Sequence, residues 1–351
     1  MSLRLLATLP FLLLFLLTGA APPARADNPF GVMLWPIAGE DFRLLASRAA
    51  GLGVAWFRPP AVFIDRWQPS GPCKGCAGLA RSGLGLVLTI RNGGHDSPPH
   101  RPSTPPTDYD AFGKTLGNIL DSWTPSYLVV ENEENVGSFY SGNDSGRWDQ
   151  TTAAAYGHEL DIACAVAHSR GIACANGGLS SEAAAAVTWL DLIESGKADR
   201  ACDFARRAFY TRDDADAGAA LCAYRNPSSV PKELRARLLA NADLLLPIYR
   251  SSQIDAVNFH WYGHDAGALA TVADALSRAT GKPAMSNEMG QRRWDADPAY
   301  VRPLLRAAFA VRLKVAVWFS LDTDDTLSLL NQDGTLRPSG EQFARQMSGR
   351  K

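Results

Sequence analysis

Val129-Val130-Glu131-Asn132-Glu133-Glu134-Asn135 is an apolar run that breaks directly into three carboxylates. A short β-branched run of this kind reads as a buried strand, because both of its faces avoid water. The segments on either side, about 108–122 and 150–169, carry apolar residues at helical spacing. A strand between two helices predicts a βαβ unit and a parallel sheet. The same alternation recurs along the chain. Strands are predicted at Pro29–Trp35, Val54–Arg58, Leu84–Arg91, Ser126–Glu131, Gly171–Ala175, Ala256–Trp261, Pro283–Asn287 and Val315–Phe319. Helices are predicted at about 39–50, 76–82, 108–122, 150–169, 182–195, 231–250, 265–280, 297–312 and 338–348. Eight βα repeats without a break in composition predict an α/β protein, a single-domain (β/α)8 TIM barrel. An open doubly wound sheet is the alternative. It would advertise a Gly-rich phosphate turn after an early strand, and neither G-x-G-x-x-G nor the Walker pattern occurs.

The first 26 residues read as an export signal. Arg4 supplies the positive charge, Leu5–Leu17 the apolar stretch, and Ala24-Arg25-Ala26 a small-x-small cleavage site. The apolar run is too short for a comfortable membrane span. Cleavage before Asp27 leaves a single 27–351 domain, 325 residues, enough for one large core. Without Arg4 and Arg25, 33 basic residues face 36 acidic ones. So balanced a charge disfavours nucleic acid and anionic membranes as partners and suits a neutral ligand.

All six cysteines, Cys73, Cys76, Cys164, Cys174, Cys202 and Cys222, lie past the signal. An even count in an exported chain predicts disulfides. Nearest neighbours would pair 73 with 76, 164 with 174 and 202 with 222, one arrangement among fifteen. Zinc at Cys73-x-x-Cys76 is the rival reading, and it lacks a second ligand pair at suitable spacing. The long connections Pro59–Gly83, Asn92–Pro106 and Leu179–Pro231 follow strands, so they are expected on the barrel face that carries active sites.

Two strand ends carry chemistry. One is the Glu131–Glu134 run; the other is Lys282-Pro283-Ala284-Met285-Ser286-Asn287-Glu288-Met289-Gly290. By count they are barrel strands four and seven. A single glutamate at a strand end is usually a solvated loop residue. Two at the same end of these strands can meet across one sugar ring. Retaining glycosidic cleavage requires that arrangement, with carboxyls roughly 5–5.5 Å apart.

With these residues in place, the chain resembles the clan A glycoside hydrolases, and is similar to families 39 and 5 of that clan. Those enzymes are TIM barrels with catalytic glutamates ending strands four and seven. Asn132-Glu133 resembles the strand-four pair, which implies Glu133 as acid/base and Asn132 as a substrate contact. Glu288 resembles the strand-seven nucleophile. His260-Trp261-Tyr262-Gly263 resembles the strand-six motif whose Tyr bonds the nucleophile, and Arg58 the strand-two Arg beside it. Trp318 resembles the strand-eight Trp under the sugar. The chain departs from the pattern in two places. Arg91-Asn92-Gly93-Gly94-His95 stands where many members end strand three on His, and Glu134 stands where many have Pro. Alternation along a continuing strand would put Glu131 and Glu133 on one face, and Asn132 is what favours Glu133.

The implied substrate is a carbohydrate with β-glycosidic bonds. Sugar faces stack on aromatic rings, so Trp35, Tyr140 and Trp294 are further substrate-binding candidates. No metal or organic cofactor is called for. A catalytically silent glycan-binding barrel is the alternative, although a binding module has no need to keep both glutamates. Lyases and deacetylases on this fold would need a metal site or a lysine base. The implied setting is secreted or periplasmic.

Overall fold

The computed structural model describes residues 28–34, 42–68, 82–94, 101–141, 148–322 and 326–349. The proposed signal, Trp35, Cys73, Cys76 and the 76–82 helix (but for its last residue) lie outside them, as does His95. Nine strands occur among the described residues: β1 Phe30–Met33, β2 Trp56–Arg58, β3 Val62–Phe63, β4 Gly85–Arg91, β5 Tyr127–Val130, β6 Ala173–Asn176, β7 Val257–Trp261, β8 Ala284–Met289 and β9 Ala316–Trp318. Apart from the two-residue β3, which pairs with β4, they run in the order β6-β5-β4-β2-β1-β9-β8-β7, and every pairing is parallel. Between β6 and β7 the ring is closed by the Ala175–Ala256 and Leu179–Phe259 bridges. The fold is a (β/α)8 barrel.

Strand parity sorts the side chains into two cores. Met33, Val87, Val129, Ala175, Ala256, Met285, Val315 and Val317 fill the barrel interior. Their neighbours in sequence, such as Val32, Leu86, Leu88, Val130, Val257 and Trp318, face the surrounding helices. Following the inward positions toward the carboxyl ends, the side chains turn polar. Val87 is succeeded by Thr89 and Arg91, Ala256 by Asn258 and His260, and Trp56 by Arg58. All five of these polar residues, Thr89, Arg91, Asn258, His260 and Arg58, are buried. A buried polar group is tolerated only when hydrogen-bonded, so this layer is where specific chemistry is held.

Three sequence expectations are corrected. The 231–250 helix is two helices, Lys232–Leu239 and Ala242–Ser251. Ala240 and Asn241 break it with left-handed backbone, and the Asn241 amide donates to the Asn135 carbonyl at 2.9 Å. The Leu179–Pro231 connection contains a further helix, Ala198–Ala208. Strand four ends at Val130, not Glu131, because Glu131 has φ 72°. Two expected disulfides form. Cys164–Cys174 ties the helix Gln150–His168 to β6, and Cys202–Cys222 staples the Ala198–Ala208 helix to the loop beyond it.

Candidate active site

Glu288 stands on an irregular strand. In β8 the register shifts against both neighbours: Asn258 pairs with Met285 but His260 with Glu288, and Ser286 pairs with Ala316 but Met289 with Trp318. The extra residue is a bulge, which re-aims side chains at a strand end. It places Asn287 below the barrel mouth and Glu288 at it. Arg58 donates to Glu288 Oε2, to the Asn287 carbonyl at 3.1 Å, to Thr89 Oγ1 at 3.1 Å and to Asn132 Oδ1 at 2.9 Å. The Tyr262 hydroxyl donates to Glu288 Oε1 at 2.5 Å. Burial alone would raise the Glu288 pKa. The His260 and Arg58 charges and the Tyr262 and Arg58 hydrogen bonds outweigh it and hold the group at about 2. Glu288 is therefore an anion at any ordinary pH. The Tyr262 phenol, pushed well above its usual value by burial and the Glu288 charge, remains a donor.

Glu133 reaches the same point from the other side of the barrel. Its Oε1 lies 2.9 Å from His260 Nδ1, and Glu288 Oε1 lies 3.9 Å from that nitrogen. Two contacts meeting at one atom hold the carboxyl oxygens within about 7 Å of each other, the scale on which two acids can act on opposite faces of one sugar. Both side chains remain open to the cleft, at 17 % and 15 % exposure.

The histidine tautomer follows from its partners. Asn287 Oδ1 accepts from Asn258 Nδ2 at 2.7 Å, while Asn287 Nδ2 donates to Thr89 at 3.3 Å. His260 Nε2, 3.0 Å from the same Oδ1, therefore carries hydrogen. Nδ1 then either accepts from a protonated Glu133 or donates to an ionised one. Burial would lower the His260 pKa, but the Glu288 and Glu133 carboxylates outweigh it and the value is raised. A hydrogen bond in that contact places its proton between Glu133 and His260.

Glu131 points elsewhere. Its left-handed backbone turns the side chain away from the cleft, where its carboxyl accepts from the Asn92 N–H at 2.6 Å and from Ser103 Oγ at 2.7 Å. Glu134 is also buried, accepting from Tyr249, from Asn176 at 3.0 Å and from Tyr156 at 3.2 Å. Gly177 lies against this turn. A Cβ there would fall 2.5 Å from Glu134 Oε2, 2.6 Å from the Glu131 carbonyl carbon and 2.8 Å from the Asn132 nitrogen. Gly177→Ala is therefore expected to lower Tm by several degrees, since overpacking against backbone costs roughly 1–3 kcal/mol. An unchanged Tm in scanning calorimetry would contradict this packing.

Of the expected sugar platforms, two are overturned. Tyr140 is fully buried, its ring edge-on to Tyr156 at 5.3 Å and its hydroxyl on Glu159. Trp318 is buried on the outward side of β9, 6.1 Å from the Phe343 ring. Parity explains the second: Val317 faces into the barrel, so Trp318 faces the helices. The half-buried aromatic on the cleft side is Phe319, with its ring centroid 6.0 Å from that of Tyr262. Trp294 is 41 % exposed and stands edge-on to Tyr210 at 5.5 Å, with the Arg292 guanidinium 5.6 Å from its ring. Thr89, Asn258 and Asn287 were not singled out from sequence. Their signal was polarity at inward strand positions.

No family model and no curated protein sequence matches the chain. Solved structures do. The GH53 catalytic domain of Ignisphaera aggregans superposes with a TM-score of 0.54 at 14% identity, covering 93% of this chain and 98% of that one. The mannohexaose complex of Thermomonospora fusca beta-mannanase gives 0.51 at 14%, over 92% and 91%. Beta-mannanase from Streptomyces thermolilacinus with mannohexaose gives 0.51 at 15%, over 91% and 88%. This chain shares their barrel. At such identities the likeness concerns the fold, and chemistry is argued from the residues of this barrel alone.

Proposed function

We propose that the protein is a retaining glycoside hydrolase acting on β-glycosidic bonds of an oligo- or polysaccharide. The observation that carries this reading is the convergence of Glu133 and Glu288 on His260 Nδ1, at 2.9 and 3.9 Å, with only Glu288 clamped by Arg58 and Tyr262. Environments that separate two carboxyls in this way assign their roles. Glu288, held ionised, attacks the anomeric carbon. Glu133 passes the proton it shares with His260 to the leaving oxygen, and then takes one from the water that releases the glycosyl-enzyme. Asn132 has its Oδ1 occupied by Arg58, which turns its amide donor toward the sugar 2-hydroxyl. Trp294 and Phe319 supply apolar ring faces at the cleft. Trp35, at the end of strand one, is retained as a platform on sequence grounds. The chain is proposed to carry a signal peptide over 1–26 and to act as one 27–351 catalytic domain outside the cytoplasm, where Cys164–Cys174 and Cys202–Cys222 persist.

Aryl β-glycosides and β-linked polysaccharides, mannans among them, test the reading. Release of aryl alcohol or reducing sugar is expected from at least one of them. Binding to a polysaccharide without turnover of any substrate would favour the silent glycan-binding barrel.

A further inference from the structure

Behind the cleft lies a buried acidic pair that the proposed reaction does not use. Glu131 and Glu159 are both fully buried, and their carboxyls interact directly, each acting on the other's charge. Every other donor goes to the outer oxygens: Asn92 N–H and Ser103 Oγ to Glu131 Oε1, and Tyr140 to Glu159 Oε2 at 2.7 Å. Glu131 Oε2 and Glu159 Oε1 are left without any N–H or O–H donor. A hydrogen bond between two carboxyl groups requires that one of them be an acid. Facing the pair are Arg91 from β4, Glu134 and Tyr140 from the segment after β5, Tyr156 from the same helix, and Tyr109 from the helix Tyr109–Trp123. Arg91, with Nε 3.7 Å from Glu131 Oε2, is the one cation among them. One guanidinium balances one carboxylate, so the neutral arrangement is a pair with a single shared proton.

The pair sits at one end of the turn that carries the proposed acid/base. Glu131 has φ 72° and Glu133 φ 42°, conformations that non-glycine residues adopt only under constraint. Glu131 anchors the near end on Glu159, and Glu134 anchors the far end on Tyr156, Tyr249 and Asn176. The helix Gln150–His168 serves both ends, because Tyr156 and Glu159 are one turn apart on the face it buries. Between the anchors, Asn132 meets Arg58 and Glu133 meets His260.

We propose that Glu159 is a positioning residue: by sharing one proton with Glu131 it locks the left-handed turn that aims Asn132 and Glu133 into the cleft. The inference rests on the glycosidase reading for what Glu133 does there, but not for the lock itself. Burial raises both carboxyls, Glu131 to about 7 and Glu159 well above its ordinary value. With folded values above unfolded ones, the stabilisation is complete at acid pH and lost as pH rises through about 7.

Glu159→Gln puts a permanent amide donor where the shared proton sits, and Glu159→Leu removes the donor. The His260 Nδ1 chemical shift in ¹⁵N-labelled protein reports the Glu133 contact without any substrate. Glu159→Gln is expected to keep that shift and to flatten the fall of Tm between pH 7 and 9. Glu159→Leu is expected to move it, and to cut kcat on the best aryl glycoside by about 100-fold with KM little changed, as for a misplaced catalytic group. A wild-type Tm profile in Glu159→Gln would overturn the shared proton. An unmoved His260 signal in Glu159→Leu would overturn the positioning role, and should that variant not fold, an unmoved signal in Glu159→Ala would do the same. If the wild type hydrolyses no glycoside while the signals behave as expected, the functional reading fails and the lock stands.

Discussion

Glu288→Ala is expected to lose on the order of 10⁴-fold or more in kcat, as when a nucleophile is deleted from an otherwise intact site. The expectation follows from how much of the barrel mouth is built around this one carboxylate. Arg58 reaches it across the barrel from β2, Tyr262 from the end of β7, and the bulge in β8 turns it inward. A carboxyl held at about 2 is ionised through the whole working range, so the loss should be the same from pH 5 to pH 9. Because its folded value is depressed, the stability it brings is present above the ordinary glutamate range and lost only as pH falls toward 2. Glu288→Gln, which keeps the shape, should be as inactive as the alanine variant. Retention of more than a tenth of the wild-type rate in both would remove Glu288 from the reaction.

Glu133→Ala is expected to behave differently. General acid–base catalysis is worth roughly 10²–10⁴-fold, and it is needed most where the leaving group is a poor one. Hydrolysis of unactivated linkages should therefore fall by that range. An aryl glycoside with an acidic phenol should still form the glycosyl-enzyme and then stall. Azide, which needs no base, should restore turnover and give a β-glycosyl azide, the product of two inversions. His260 cannot replace Glu133 in this role, since its Nε2 hydrogen is committed to Asn287 and its Nδ1 faces the cleft only through Glu133. Equal losses on good and poor leaving groups, with no azide product, would contradict the assignment.

The fold was legible in sequence because its signal is repeated eight times. All eight barrel strands lie within the segments expected from β-branched runs, or within two residues of them. Residues at strand ends with distinctive chemistry, Arg58, Asn132, Glu133, His260, Tyr262 and Glu288, are brought together by the structure. What escaped depends on local backbone. The alternation that would have paired Glu131 with Glu133 fails because the strand stops at Val130 and both glutamates turn left-handed. Trp318 was misplaced by a single step of parity, and Tyr140 by reading a ring in a loop as exposed. Glu159 lies in an Ala-rich helix where a carboxylate reads as solvated. The spacing Tyr156, Glu159, Leu160, Ala163 nonetheless places it on the buried face. The helix break at Ala240-Asn241 has no glycine or proline to mark it, and it is held by a contact 106 residues away.

In the proposed reaction Glu288 bonds covalently to a sugar while Glu133 assists from the opposite face. A 2-deoxy-2-fluoro glycoside with a good leaving group, built on whichever sugar the protein hydrolyses, tests it most directly by slowing release of the glycosyl-enzyme. Mass spectrometry of the digested protein should show one fluorosugar on the peptide containing Glu288, and none in Glu288→Gln. A label on another residue, or an α-configured first product with no label at all, would contradict it.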